Sequence, residues 1–137
     1  MIEKVQERGL RFVYNDSVSS YEQLLCMSNN STMYTDRLRN IAIQVYKIMN
    51  NLCPSYLNDM CIMKTNGYDL RNKIQLIQPK VNTVTYGIFS FRYHGAKIWN
   101  LLPDHVKMAP KLDTFKVLLS QWHKSLCNCS FCARCLL

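Results

Sequence analysis

The densest chemistry in this sequence lies at its end. Cys127-Asn128-Cys129-Ser130-Phe131-Cys132-Ala133-Arg134-Cys135 holds two overlapping C-x-x-C spacings, Cys129 to Cys132 and Cys132 to Cys135. A tight turn at that spacing points both sulfurs inward, where two thiolates can chelate one zinc ion. Cys127, Cys129, Cys132 and Cys135 are therefore candidate zinc ligands, with His123 just upstream as a further one. Structural zinc sites mostly use two chelating pairs separated by roughly a dozen residues or more. Four Cys in one short run enclose an ion awkwardly, so an oxidisable tail is the alternative unless a second chain completes the site. The total of 7 Cys is odd, and the opening Met1-Ile2-Glu3-Lys4-Val5-Gln6-Glu7-Arg8 is charged and amphipathic, unlike a secretory leader. Both features point to reduced thiols inside the cell, in cytoplasm or nucleus. Cys26, Cys53 and Cys61 lie beside apolar residues and read as ordinary buried thiols.

No other grouping suggests catalysis. His94, His105 and His123 show no pairing with Asp or Ser of the kind a triad needs, and no base is marked beside any Cys. Two-metal nucleotidyl transfer gathers carboxylates at one point. Here Asp16, Asp36, Asp59, Asp69, Asp104 and Asp113 stand apart, and no Asp-Asp dipeptide occurs. The 4 Gly do not cluster, so no phosphate-cradling loop is present. The expectation is a chain without an active site of its own.

The cations offer more. Lys and Arg total 17 against 9 Asp and Glu, a formal charge of +8. That sign suits a polyanion, with RNA or DNA the commonest, although a merely solvated basic surface would look the same in composition. Cations interleave with Tyr14, Tyr46, Tyr86, Phe89 and Tyr93, most densely from Tyr86 to Lys97. Phosphates attract cations and unstacked bases attract aromatic faces. Arg37, Arg39, Lys80, Arg92, Tyr93 and Lys97 are the candidate nucleic-acid contacts. Phe91 and Trp99 follow helical spacing and read equally well as core.

The elements that must carry these residues are mostly helices. Residues 1–13 form an amphipathic helix ended by the turn Tyr14-Asn15-Asp16-Ser17. Ser19 with Glu22 suggests a capping box for a short second helix. The strongest periodicity runs from Thr35 to Leu52, where Leu38, Ile41, Ala42, Val45, Ile48, Met49 and Leu52 make a stripe, and Cys53-Pro54 stops it. A short helix after Pro54 follows. Ile74-Gln75-Leu76 and Val81 to Tyr86 are rich in β-branched residues and suggest extended pieces forming a small ribbon. Ser90 caps a helix that Pro103 ends, Asp104 to Met108 makes one turn, and Leu112 to Lys124 forms the last helix. The fold class expected is mainly α: a small helical accessory domain over residues 1–125, with a short β-ribbon-like insertion, then a Cys-rich tail over residues 126–137. No apolar run is long enough to span a membrane.

The order of several motifs resembles a known family. Gly9-Leu10-Arg11-Phe12-Val13-Tyr14-Asn15-Asp16 is followed by Ser20-Tyr21-Glu22-Gln23-Leu24-Leu25, Arg37-Leu38-Arg39-Asn40-Ile41-Ala42 and Pro54-Ser55-Tyr56-Leu57. Then come Pro79-Lys80-Val81-Asn82-Thr83, Tyr86-Gly87 and Ser90-Phe91-Arg92-Tyr93-His94-Gly95-Ala96-Lys97-Ile98-Trp99-Asn100-Leu101-Leu102-Pro103. This series is similar to the region after the polymerase core in reverse transcriptases of non-long-terminal-repeat retrotransposons, of the LINE type and jockey-like. The resemblance implies a parent RNA-directed DNA polymerase whose paired aspartates and endonuclease are missing here, so no catalytic residue carries over. It implies a C-terminal region that supports the polymerase and holds RNA or target DNA, with the rest of the reverse transcriptase as partner. Related elements often end in a Cys/His zinc knuckle, and the Cys-only spacing here departs from that pattern. A protein-interaction scaffold packed on the polymerase core, or a degraded copy without present function, are the other readings.

Overall fold

The structure, a computed structural model, describes residues 2–64 and 74–125; the candidate zinc ligands Cys127, Cys129, Cys132 and Cys135 lie outside them. The described chain is mainly helical and divides into two compact units, Met1–Leu38 and Arg39–Leu137.

The first unit contains α1 (Ile2–Tyr14), α2 (Tyr21–Ser28) and the beginning of α3 (Met33–Met49). Helices α1 and α2 pack through Leu10, Leu24 and Leu25, with Tyr21 against that cluster. The connection between them is built by Asp16. Its carboxylate accepts the Val18 and Ser19 amides at 2.8 and 2.9 Å and the Ser19 hydroxyl at 2.6 Å. Ser19 is thereby engaged, and the capping box forms one residue later than expected. Ser20 Oγ accepts the Gln23 amide at 3.3 Å and Gln23 Oε1 accepts the Ser20 amide at 2.9 Å. At the start of α3 the Thr32 hydroxyl accepts the Thr35 amide, and Glu3 reaches across from α1 to accept the Tyr34 amide at 2.9 Å. A carboxylate there meets the positive end of the helix.

Three helices end in the same way, and Asn is the reason. Asn15, Asn29 and Asn51 have φ of 48°, 53° and 54°. Left-handed backbone is costly for most side chains, but Asn adopts it more readily. Each then closes a pair of reverse bonds, such as Asn51 to Ile48 O at 3.2 Å and Leu52 to Lys47 O at 2.8 Å. So α3 stops before Cys53-Pro54, and Leu52 lies outside the helix and exposed.

In the second unit, α3 packs with α4 (Phe91–Leu101), α5 (Asp104–Lys107) and α6 (Leu112–Ser125) around Val45, Tyr46, Ile98, Trp99, Leu102, Val106, Phe115 and Leu119. Tyr46 stacks on Phe115 with ring centroids 4.3 Å apart, and its hydroxyl donates to Ala109 O at 2.6 Å. Gly95 lets α3 and α4 approach, because a Cβ there would lie 2.9 Å from Val45 Cγ2. Pro54 precedes a 3₁₀ helix, Ser55–Met60, as the sequence suggested.

The ribbon forms differently from expectation. Leu76 pairs antiparallel with Met63, not with the segment beyond Val81. Val84–Ile88 is a single π turn in which Thr83 O accepts both the Gly87 and Ile88 amides at 3.2 Å. The β-branched composition there is overridden by packing, since Gly87 brings the turn against Val81 so closely that a Cβ would lie 2.6 Å from Val81 Cβ. The thiols also differ from expectation: Cys26 is exposed, and Cys53 and Cys61 are half-buried.

Candidate nucleic-acid interface

The start of α4 gathers the candidate contacts. Ser90 caps the helix by accepting the Tyr93 amide at 3.3 Å, while its own hydroxyl donates to Gly87 O at 2.7 Å. One side chain thus ties the π turn to α4. Asn100, near the other end of α4, accepts the Leu76 amide at 2.8 Å and donates to Leu76 O at 2.9 Å. Leu76 is therefore fixed at one end of the helix and Val81 beside Gly87 at the other. Five extended residues span roughly 16 Å, and α4 rises roughly 15 Å over its length. The segment must run back along α4, which brings Lys80 beside the beginning of the helix.

Lys80 and Arg92 are exposed there. Tyr93 and Lys97, one turn apart, lie half-buried on the side of α4 away from Gly95. Tyr93 leans on His94 with ring centroids 6.2 Å apart. From Ile74 to Pro103 the chain carries Lys80, Arg92 and Lys97 and no Asp or Glu. Arg92 also acts on Cys61: burial pushes that thiol up while the Arg92 guanidinium pulls it part of the way back.

The remaining candidates are not gathered here. Arg37 is exposed on α3 but belongs to the first unit. Arg39 is half-buried two residues before Ile41, whose Cγ2 is near Gly95. Two residues turn an α-helix by roughly 200°, so Arg39 faces away from α4. Lys107 is a cation with a structural role: it is 5% exposed, with Nζ 3.5 Å from Asp104 Oδ1.

Two side chains matter more than the sequence indicated. Tyr86 is 86% exposed on the π turn, and Phe89 is 49% exposed beside the Ser90 cap. Both were visible as aromatics among cations, and the acid-free stretch was a signal that could have ranked them. Among the described residues no group of three or more His, Cys, Asp or Glu could hold a metal ion. No described helix is long and apolar enough to cross a membrane. Compared with known proteins, the chain matches no family model, no curated protein and no solved structure.

Proposed function

We propose that this chain is a non-catalytic accessory region that binds nucleic acid, and that it belongs after the polymerase core of a retrotransposon reverse transcriptase. The observation that carries the binding is the surface at the start of α4, where Lys80, Arg92 and Lys97 lie in a stretch free of carboxylates. Lys80 and Arg92 present exposed cations to an approaching phosphate backbone, and displaced counterions supply much of the affinity. The retroelement origin rests on the ordered motifs from Gly9 to Pro103.

One feature of the first unit favours the protein-interaction scaffold as a second reading. On α1, Ile2, Val5, Phe12 and Val13 share a face that is exposed, Phe12 at 87%. Apolar stripes of this kind commonly mark protein contacts.

The test is binding of the reduced chain to labelled single-stranded RNA, single-stranded DNA and duplex DNA across a salt series. Affinity should fall steeply with salt. The Arg92→Ala, Lys97→Ala double variant should bind more weakly, with a log–log slope reduced by roughly 0.7 to 0.9 for each phosphate no longer neutralised. Unchanged binding by that variant would remove those residues from the interface. No binding at low salt by a folded chain would favour the scaffold.

A further inference from the structure

We infer that Tyr86 and Phe89 form a stacking platform for unpaired bases, so that the ligand of this surface is a single strand and not a duplex. This rests on the nucleic-acid reading and narrows it. A cationic patch alone would accept any phosphate backbone, single or double. Two aromatic rings standing out beside the cations change that preference, because a base can reach them only when it is out of the helical stack.

The geometry supports a prepared site. Phe89 is backed by the buried His94 ring, with centroids 5.9 Å apart and planes 23° apart, so one face is supported and the ring remains 49% exposed. A base on the outer face would extend a stack already begun. Tyr86 stands three residues earlier at 86% exposure. The π turn that carries Tyr86 and leads into Phe89 is held at each end. Thr83 O binds the Gly87 and Ile88 amides, and Gly87 O binds both the Ser90 amide at 3.1 Å and its hydroxyl at 2.7 Å. Val81 abuts Gly87 and keeps Lys80 beside the platform, while Arg92 follows two residues after the cap. In chain order these exposed cations flank the two rings. The segment from Ile74 to Pro103 has no Asp or Glu, which suits a polyanion. Tyr93, half-buried against His94, is the poorer stacking surface.

The experiment uses the full chain and four fluorescent probes of equal length: oligo-uridine, oligo-thymidine, a matched DNA duplex, and an abasic sugar–phosphate strand. The abasic strand keeps sugars and phosphates and removes every base. The two base-bearing single strands should bind more tightly than the abasic strand and the duplex, and comparison of uridine with thymidine ranks RNA against DNA. Tyr86→Ala and Phe89→Ala should each weaken single-strand binding by roughly 5- to 150-fold. The abasic strand's affinity and the salt slope should stay the same, since every cation remains in place. Tyr86→Phe should restore binding. Retained Trp fluorescence, which reports the second unit through Trp99, certifies folding of each variant. Equal, salt-dependent binding of abasic and base-bearing strands, unaffected by Tyr86→Ala, would overturn the platform and leave the cationic interface standing. Absence of binding by every probe at low salt would overturn both.

Discussion

Replacing Gly95 by Ala is a sharp test of how α3 and α4 meet. Within a helix, Gly→Ala ordinarily stabilises by roughly 0.5–1 kcal/mol, because Gly has more backbone freedom to lose. At Gly95 the new Cβ would fall 2.9 Å from Val45 Cγ2, against 3.4 Å or more for ordinary contact. Val45 is wholly buried and β-branched, so it has little room to yield. Overpacking of this kind costs roughly 1–3 kcal/mol. The difference predicts a net loss of about 1 kcal/mol. Gly9 is the internal control, because a Cβ there meets nothing within 4 Å. Gly9→Ala should therefore stabilise the first unit by about 0.5–1 kcal/mol. Both Trp residues, Trp99 and Trp122, are in the second unit. Urea unfolding followed by Trp fluorescence reads Gly95→Ala, and far-ultraviolet circular dichroism reads Gly9→Ala. Adding Val45→Ala should relieve the clash, giving a favourable coupling of about 1 kcal/mol in a double-mutant cycle. If Gly95→Ala stabilised as much as Gly9→Ala, the close approach of α3 and α4 would be refuted.

Tyr46→Phe keeps the stack on Phe115 but leaves the buried Ala109 carbonyl without its 2.6 Å donor. The second unit should lose about 1–2 kcal/mol in the same urea titration, and an unchanged midpoint would show that the bond contributes nothing net. Acid should act on the first unit. Hydrogen bonds from the Ser19 hydroxyl and amide and the Val18 amide hold Asp16 down at about 2. For Glu3, burial pushes the carboxyl up, but bonds from Tyr21 and from the Tyr34 and Met33 amides outweigh it and hold the group below its ordinary value. Both are lowered in the folded state, so their stabilisation is complete above the ordinary carboxylate range and is lost as pH falls toward 2. Helicity followed by circular dichroism should decline over that window, and Asp16→Asn should make the decline shallower. An identical acid profile for Asp16→Asn would show that this turn does not carry the acid response.

Much of the helical layout was legible because its signals are local. The apolar repeat of α3, the Ser90 cap and Pro103 after α4 depend only on neighbours within a turn or two, and the structure forms those elements, although α3 ends at Met49 and leaves Leu52 outside it. Legibility failed where two local options were nearly equal. Ser19 and Ser20 could each cap α2, and the carboxylate of Asp16 decides between them by engaging Ser19. Val81 to Tyr86 has the composition of a strand, yet the contact between Gly87 and Val81 favours a π turn.

By itself, then, the sequence determined a helical chain with an excess of cations, the aromatic-rich stretch from Tyr86 to Lys97, and the separation of its Asp residues. These follow from composition and spacing, which no folding alters. Only the tertiary structure decided which side chains remain available to a ligand. Lys107 is a cation in the sequence, but packing buries it beside Asp104. Tyr46 and Tyr86 are both aromatic residues near cations, yet one is sealed against Phe115 and the other stands in solvent. Arg39 and Arg92 carry the same charge, and helical rotation directs Arg39 away from α4 while Arg92, two residues after the Ser90 cap, stands exposed. Exposure belongs to the packed chain, because it depends on residues distant in sequence that burial brings together.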